Sequence, residues 1–266
     1  MKKTKKIVGI ITLVGILVLA IAGCGKEEEV LKVGMELKYP PFETVDEEGN
    51  PTGASVRLAE ALGEYLDMKV EIIDTPYPSL IPALESGSID IIISSMTITE
   101  ARQEIVDFSD PYTTSQLMML AHKDSKVKSP ADLNDPEVII ASKSGTIGAL
   151  WAAANAPLAQ VLTLDEEVTA VLEVAQGNAD VFIYDPLSII RHQENYPDTT
   201  VAILEPLPNT QGWGIALRKG EDDEFKQQLN DFIQKAKTDG TYDAIRAEFL
   251  EDKIKEFEDQ GLDFFF

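Results

Sequence analysis

The chain has 266 residues, and its 46 acidic side chains outnumber 23 basic ones, for a formal net charge of −23 at pH 7. So acidic a surface repels the phosphates of nucleic acid and anionic lipid headgroups, which excludes both as charge-driven partners. A single cysteine leaves no intrachain disulfide, and the length suffices for two compact lobes, each with its own core.

Lys2, Lys3, Lys5 and Lys6 precede an apolar run over 7–21, the pattern of an export signal occupying residues 1–23. The run closes on Ile21-Ala-Gly-Cys24, which resembles the lipobox of bacterial lipoproteins. That resemblance implies a fatty acyl chain such as palmitate on Cys24 and a mature chain anchored outside the cytoplasm, tethered to the membrane through 24–29. The alternative is an uncleaved membrane anchor, for which the apolar run is somewhat short. With Cys24 committed to the anchor, no thiol remains for catalysis or for a metal site. Without the four leader lysines the balance is 19 basic against 46 acidic residues, about −27.

Strand and helix signals then alternate: strand 31–35, helix 55–66, strand 70–73, helix 79–85 and strand 89–94. Such alternation predicts an α/β fold with mostly parallel sheets flanked by helices. An apolar strand over 116–122 and a polar linker over 123–129 open a second unit: strand 138–141, helix 146–154, strand 161–164, helix 166–176, and strands 181–184, 201–204 and 212–218. Two helices finish the chain, the last amphipathic with Ile245, Phe249, Ile254 and Phe257 close to one face. Strand-like crossings near 117–121 and 212–217 suit a hinge between two lobes, the first formed by 30–118 with 219–266 and the second by 119–218. Ligands in such sheets bind beyond the carboxyl ends of the strands.

The most informative stretch is Ser94-Ser-Met-Thr-Ile-Thr-Glu-Ala-Arg102. Thr99 is a natural N-cap, which makes Glu100 the first residue of a short helix and Arg102 the third. Arginine at that position opposes the positive end of the helix dipole, where Glu or Gln would close a capping box. Arg102 therefore either pairs locally with Glu100 or Asp107 or meets an anion brought to the helix start. Asp185 follows the strand over 181–184 and precedes Pro186, the N-cap and N1 pattern of a helix.

Taken in order, Leu31-Lys-Val-Gly-Met35, Tyr39-Pro-Pro-Phe-Glu43, Leu80-Ile-Pro-Ala-Leu-Glu-Ser-Gly87, the 94–102 stretch, Asp107-Phe-Ser-Asp-Pro-Tyr112, Ser144-Gly-Thr146, Gly177-Asn-Ala-Asp-Val-Phe-Ile-Tyr-Asp185 and Asp239-Gly-Thr241 resemble the family 3 extracytoplasmic solute-binding proteins, which feed polar amino acids to ABC importers. The resemblance spans the mature chain. It implies a two-lobed periplasmic-binding-protein (type II) fold closing on its ligand, monomeric, partnered with a membrane permease, and without cofactor or metal. It also implies that Arg102 grips the ligand carboxylate, a task for a planar, permanently charged fork, helped by Thr97 and by backbone around Ser95 and Thr146. Asp185 matches the acceptor for the ammonium. Tyr39 and Tyr77 match aromatic positions over the ligand, while Glu36 and Lys143 match positions facing its side chain. Glu36 with Lys143 suits an amide such as glutamine; Glu36 alone suits a cationic side chain. Asp180 reads as structural.

The chain departs from the family pattern at Ala54-Ser-Val-Arg57, where an aromatic-Asp-Val-Asp run is usual, at Trp151, and at the Phe264-Phe265-Phe266 tail, which is either tucked against a lobe or frayed. An enzyme on the same scaffold, such as a periplasmic cyclohexadienyl or arogenate dehydratase, is the alternative; Glu36 is its one candidate general acid. His122 and His192 have no evident partner in the sequence, and no phosphate-binding loop, zinc spacing or Ser/His/Asp order is present. A sensory receptor domain would need an output segment that the lipid anchor does not supply.

Overall fold

The computed structural model describes residues 29–114, 116–208, 212–220 and 223–266. The export signal, Cys24 and all but the last residue of the tether lie outside them. The first half runs β1 (Val30–Met35), a hairpin of β2 (Thr44–Val45) and β3 (Pro51–Thr52), α1 (Ala54–Leu66), β4 (Lys69–Asp74), α2 (Leu80–Glu85), β5 (Ile91–Ile92), α3 (Glu100–Gln103) and β6 (Val106–Thr113). The second runs β7 (Met118–His122), β8 (Ile139–Lys143), α4 (Ile147–Asn155), β9 (Gln160–Leu164), α5 (Glu167–Ala175), β10 (Val181–Tyr184), α6 (Pro186–Asn195) and β11 (Thr200–Ile203). Then come β12 (Trp213–Arg218), α7 (Asp223–Ala236), α8 (Thr241–Ile245), a π-turn over Arg246–Leu250 and α9 (Glu251–Asp259).

Two five-stranded sheets result, ordered β4-β1-β5-β12-β6 and β11-β7-β10-β8-β9. In the first, β1 is parallel to β4 and β5, and β12 runs antiparallel to β5 and β6. In the second, β8 is parallel to β9 and β10, and β7 runs antiparallel to β10 and β11. The chain crosses between sheets twice, from β6 to β7 and from β11 to β12. The expected second lobe, 119–218, thus includes β12, a strand that hydrogen-bonds within the first sheet.

The C-terminal helices return to the first sheet: Leu229, Phe232, Ile233, Tyr242 and Ile245 share one core with Val33, Leu58 and Leu62. Of the predicted amphipathic face, Ile245 and Phe257 are buried, and Phe249 and Ile254 pack against the same core half-buried. The π-turn lies between α8 and α9 within that stretch. The second core gathers Leu117, Met119, Ile140, Val181 and Ile183 around Trp151. That atypical tryptophan buries its ring and donates its indole N–H to the Pro208 carbonyl at 2.9 Å, the partner a buried indole needs.

The strand predicted over 89–94 shrinks to Ile91–Ile92, because at Ser95 the backbone enters the left-handed region with φ 48° and leaves the sheet. The helix predicted over 79–85 opens with a 3₁₀ turn, Tyr77–Ser79, around Pro78. The Phe tail is tucked, not frayed. Phe266 is buried and stacks on Tyr242 at 5.2 Å, and Phe265 meets Trp213 edge-on at 5.4 Å.

Candidate functional site

Parallel strands from both sheets aim their carboxyl ends at one crevice. Glu36 follows β1, Ser94 and Ser95 follow β5, Thr146 follows β8, and Asp185 follows β10. Tyr39, Glu43, Tyr77, Thr97, Leu117, Ile147, Tyr184 and Trp213 complete the lining, and the crevice leaves about 40 Å³ for the centres of water-sized molecules. Helix α4 reaches it with its first turn because Gly148 lets the helix ride against β10; a Cβ there would sit 2.4 Å from the Ile183 carbonyl oxygen.

Seven of the nine ligand-binding residues read from the sequence line this crevice: Glu36, Tyr39, Tyr77, Ser95, Thr97, Thr146 and Asp185. Arg102 and Lys143 stand directly behind the lining. Thr99 caps α3 as expected, accepting from the Arg102 amide at 3.1 Å. Arg102 itself is 5% exposed and pairs with neither Glu100 nor Asp107. Its guanidinium donates to the Thr97 carbonyl, to the Gly145 carbonyl at 2.9 Å and to the Tyr77 hydroxyl at 3.3 Å. Every partner is uncharged, so this buried cation has no counter-charge among the described residues.

Lys143 and Glu36 form a buried ion pair across the crevice. The other Glu36 oxygen accepts from the Tyr77 amide at 3.2 Å. The Tyr77 ring stands between the two cations, with Arg102 Cζ and Lys143 Nζ each 5.8 Å from its centroid, a favourable place for positive charge. Burial raises the pKa of the Tyr77 hydroxyl, and the Arg102 charge opposes that rise.

On the opposite wall, Asp185 caps α6 with Oδ1, accepting from the Ser188 amide at 3.0 Å. Its Oδ2 is buried and pairs with no cation among the described residues; the Tyr39 hydroxyl is the polar group that faces this carboxyl. Burial raises the pKa of this carboxyl, and the nearby Glu167 charge adds to the effect. The Tyr39 hydroxyl is also buried, and its interaction with Asp185 opposes the rise of that carboxyl. Its ring stacks on Phe42 at 5.3 Å and meets Tyr184 and Trp213 edge-on, which makes an aromatic wall.

Sequence reading passed over two features. Glu43 was visible only as the end of the Tyr39-Pro-Pro-Phe run, yet it lines the crevice, accepts from Ser95 Oγ at 3.0 Å and is 1% exposed. His192 was expected to lack a partner. It lies 2.6 Å from Glu167 Oε1, which also accepts from Arg191 at 2.6 Å. Asp180 is structural, accepting from Ser125 Oγ and the Ile139 amide, each at 2.9 Å. Among the described residues no group of three or more His, Cys, Asp or Glu side chains could hold a metal, and no helix is long and apolar enough to cross a membrane.

The family model of bacterial extracellular solute-binding proteins, family 3, matches residues 31–252. The chain belongs to that family. The probable histidine-binding protein of Neisseria gonorrhoeae is 32% identical over 238 residues, which cover 87% of each chain. An ancestral arginine-binding protein solved with arginine aligns at 31% identity and TM-score 0.74 over 84% of this chain and 99% of its own; a structure with glutamine gives 31% and 0.73 over 84% and 98%. The ancestral amino acid-binding protein AncCDT-1, described as a precursor of cyclohexadienyl dehydratase, gives 36% and 0.72 over 83% and 95%. As a family 3 protein, the chain places its cleft between two α/β lobes, where these neighbours are likewise two-lobed.

Proposed function

We propose that this chain is the extracytoplasmic, lipid-anchored binding component of an amino-acid ABC importer. It closes two lobes on a polar L-amino acid with a glutamine-like or cationic side chain and presents the closed monomer to a membrane permease. The observation that carries this reading is a pair of opposite buried groups at one crevice: the Arg102 guanidinium with only neutral partners, and the Asp185 carboxyl with no cation paired to it among the described residues. Buried charges seek counter-charges, and the two poles of an α-amino acid zwitterion supply one for each. Cross-lobe bonds from Lys143 to Glu36, Arg102 to Gly145 and Lys38 to Glu166 suit a cleft that closes.

Ser95, Thr97 and Thr146 would add polar contacts at the carboxylate end, and Tyr39 and Tyr77 would flank the ligand. Glu36 and Lys143 together would read the side chain. As a general acid Glu36 is poorly placed, since both of its oxygens are engaged by Lys143 and the Tyr77 amide. The lipid anchor rests on Cys24 and its flanking residues; metabolic labelling with a palmitate analogue, lost in Cys24→Ser, tests it.

A thermal-shift screen against the common L- and D-amino acids tests the function. A ligand at about a hundred times its Kd stabilises the folded state by about 2.7 kcal/mol. Stabilisation by one or a few polar L-amino acids is the expected result; none by any amino acid overturns the reading, and turnover of prephenate or arogenate replaces it with the enzyme.

A further inference from the structure

The lining of the crevice holds a third carboxyl for which the zwitterion clamp has no use. Glu43 ends the loop before β2 and sits beneath Ser94 and Ser95: Ser95 Oγ donates to its Oε2 at 3.0 Å, and Ser94 Oγ lies 3.5 Å from its Oε1. The same Ser94 hydroxyl accepts from the Glu36 amide at 3.0 Å, so it joins Glu43 to the residue facing the ligand side chain. Among the described residues no basic side chain pairs with Glu43. The titratable groups around it are Glu36, Tyr77 and Tyr112, and the two cations behind the lining, Lys143 and Arg102, are held by Glu36 and by the Tyr77 hydroxyl.

The charges of the cleft then balance for only one class of ligand. A zwitterion brings one charge of each sign, met by Arg102 and Asp185, while Glu36 and Lys143 neutralise each other. A ligand whose side chain carries a further positive charge leaves the closed cleft with one buried charge uncompensated, an arrangement proteins avoid. Among the described residues Glu43 is the one remaining carboxyl in the lining that can supply the missing negative charge.

We propose that Glu43 is the proton-linked selector of this site, neutral when the ligand side chain is uncharged and ionised when it is cationic, so that a cationic amino acid releases one proton as it binds. The inference rests on the amino-acid reading above. The balance is simple: the Glu43 O–H bond breaks, the proton passes to solvent, and the carboxylate left behind adds one negative charge to the lining. Burial pushes the Glu43 carboxyl up to about 8, with the Ser55, Ser95 and Ser94 hydroxyls opposing and the Glu36 charge adding to the shift, so in the ligand-free protein the proton is present at neutral pH.

The test is calorimetry with L-arginine and L-glutamine from about pH 6.5 to about pH 8.5, repeated in two buffers of different ionisation enthalpy. Arginine binding should release close to one proton at the lower pH, and its affinity should rise about tenfold per pH unit until the Glu43 carboxyl ionises in the free protein. Glutamine should release none and show no such slope, and Glu43→Gln should remove both effects for arginine. Arginine binding without proton release, a slope that survives Glu43→Gln, or glutamine binding with no arginine binding at either pH overturns the proposal. If neither probe binds, it is the amino-acid reading that is in question. Glu43 is then followed in the ligand-free protein by carbon-13 NMR of its side-chain carboxyl, where ionisation throughout pH 5 to 9 overturns the proposal and titration near pH 8 supports it.

Discussion

Lys143 and Glu36 meet from opposite lobes with side chains 4% and 7% exposed, so the residue pair proposed to read the ligand side chain is also a bond across the cleft. An amide side chain can enter between them, giving its oxygen to Lys143 and its N–H₂ to Glu36. With Lys143→Met, Glu36 is left to a cation alone. L-glutamine should then bind at least about tenfold more weakly and L-arginine more tightly, since about 1.4 kcal/mol separates each decade. Titration calorimetry of both ligands on both proteins checks this, and an unchanged preference would remove Lys143 from the site.

Arg102→Ala should abolish amino-acid binding while the protein stays folded. An unpaired ligand carboxylate in a closed cleft costs about 3–5 kcal/mol, more than two decades of affinity. Arg102→Lys should fail nearly as badly, because an ammonium cannot replace the planar fork. Near-native affinity in either variant, with a normal thermal melt, would show that the carboxylate binds elsewhere.

Arg102 was legible in the sequence through a local misfit, a cation at the third position of a capped helix, and Asp185 through its place between a strand and Pro186. Both signals lie within a few residues of the side chain concerned. The alternating elements were legible for the same reason, since helix and strand periods are local. Glu43 and His192 were not, because what defines them comes from far along the chain: Ser95 lies 52 residues from Glu43, and Glu167 lies 25 from His192. The sheet membership of β12 was hidden likewise, since an apolar strand does not state which neighbour it will pair with. Family resemblance implied that Glu36 and Lys143 face the ligand side chain together, but nothing local to either segment gives their direct contact, since 107 residues separate them.

The buried Glu167 cluster contributes to how the protein responds to acid. Burial alone would raise this carboxyl, but the bond to His192 and the Arg191 charge outweigh it and hold it below its usual 4.5. A carboxyl with a depressed folded-state pKa stabilises the protein above about 4.5, and that stability is lost as pH falls through the folded value. Arg191, held by Glu167, also reaches the Pro40 carbonyl of the other lobe at 3.3 Å. Urea midpoints at neutral pH and near pH 3.5 should therefore converge in Glu167→Gln relative to the native protein. An equal acid sensitivity in the two would place the responsible carboxyls elsewhere.

The C-terminal aromatics bind the hinge to the first lobe. The Phe265 carbonyl accepts from the Thr114 amide at 3.1 Å and from the Thr113 hydroxyl, just where β6 leaves for the second sheet. Its ring rests on Trp213, where the chain returns, and Arg246 Nε donates to the Phe266 carbonyl at 2.8 Å. Phe266 is 4% exposed and packs on Tyr242 and Phe42. Phe266→Ala should cost about 3 kcal/mol, the lower end for a core phenylalanine, and lower the Tm by about 6–12 °C in a chain of this size. Because Phe266 itself packs on Tyr242 and Phe42, neither of which lines the cleft, ligand affinity measured well below the melt should change far less than stability. A variant that melts like the native protein would mean the tail leaves this groove in solution, and then the Phe265 carbonyl cannot be what holds the first crossing.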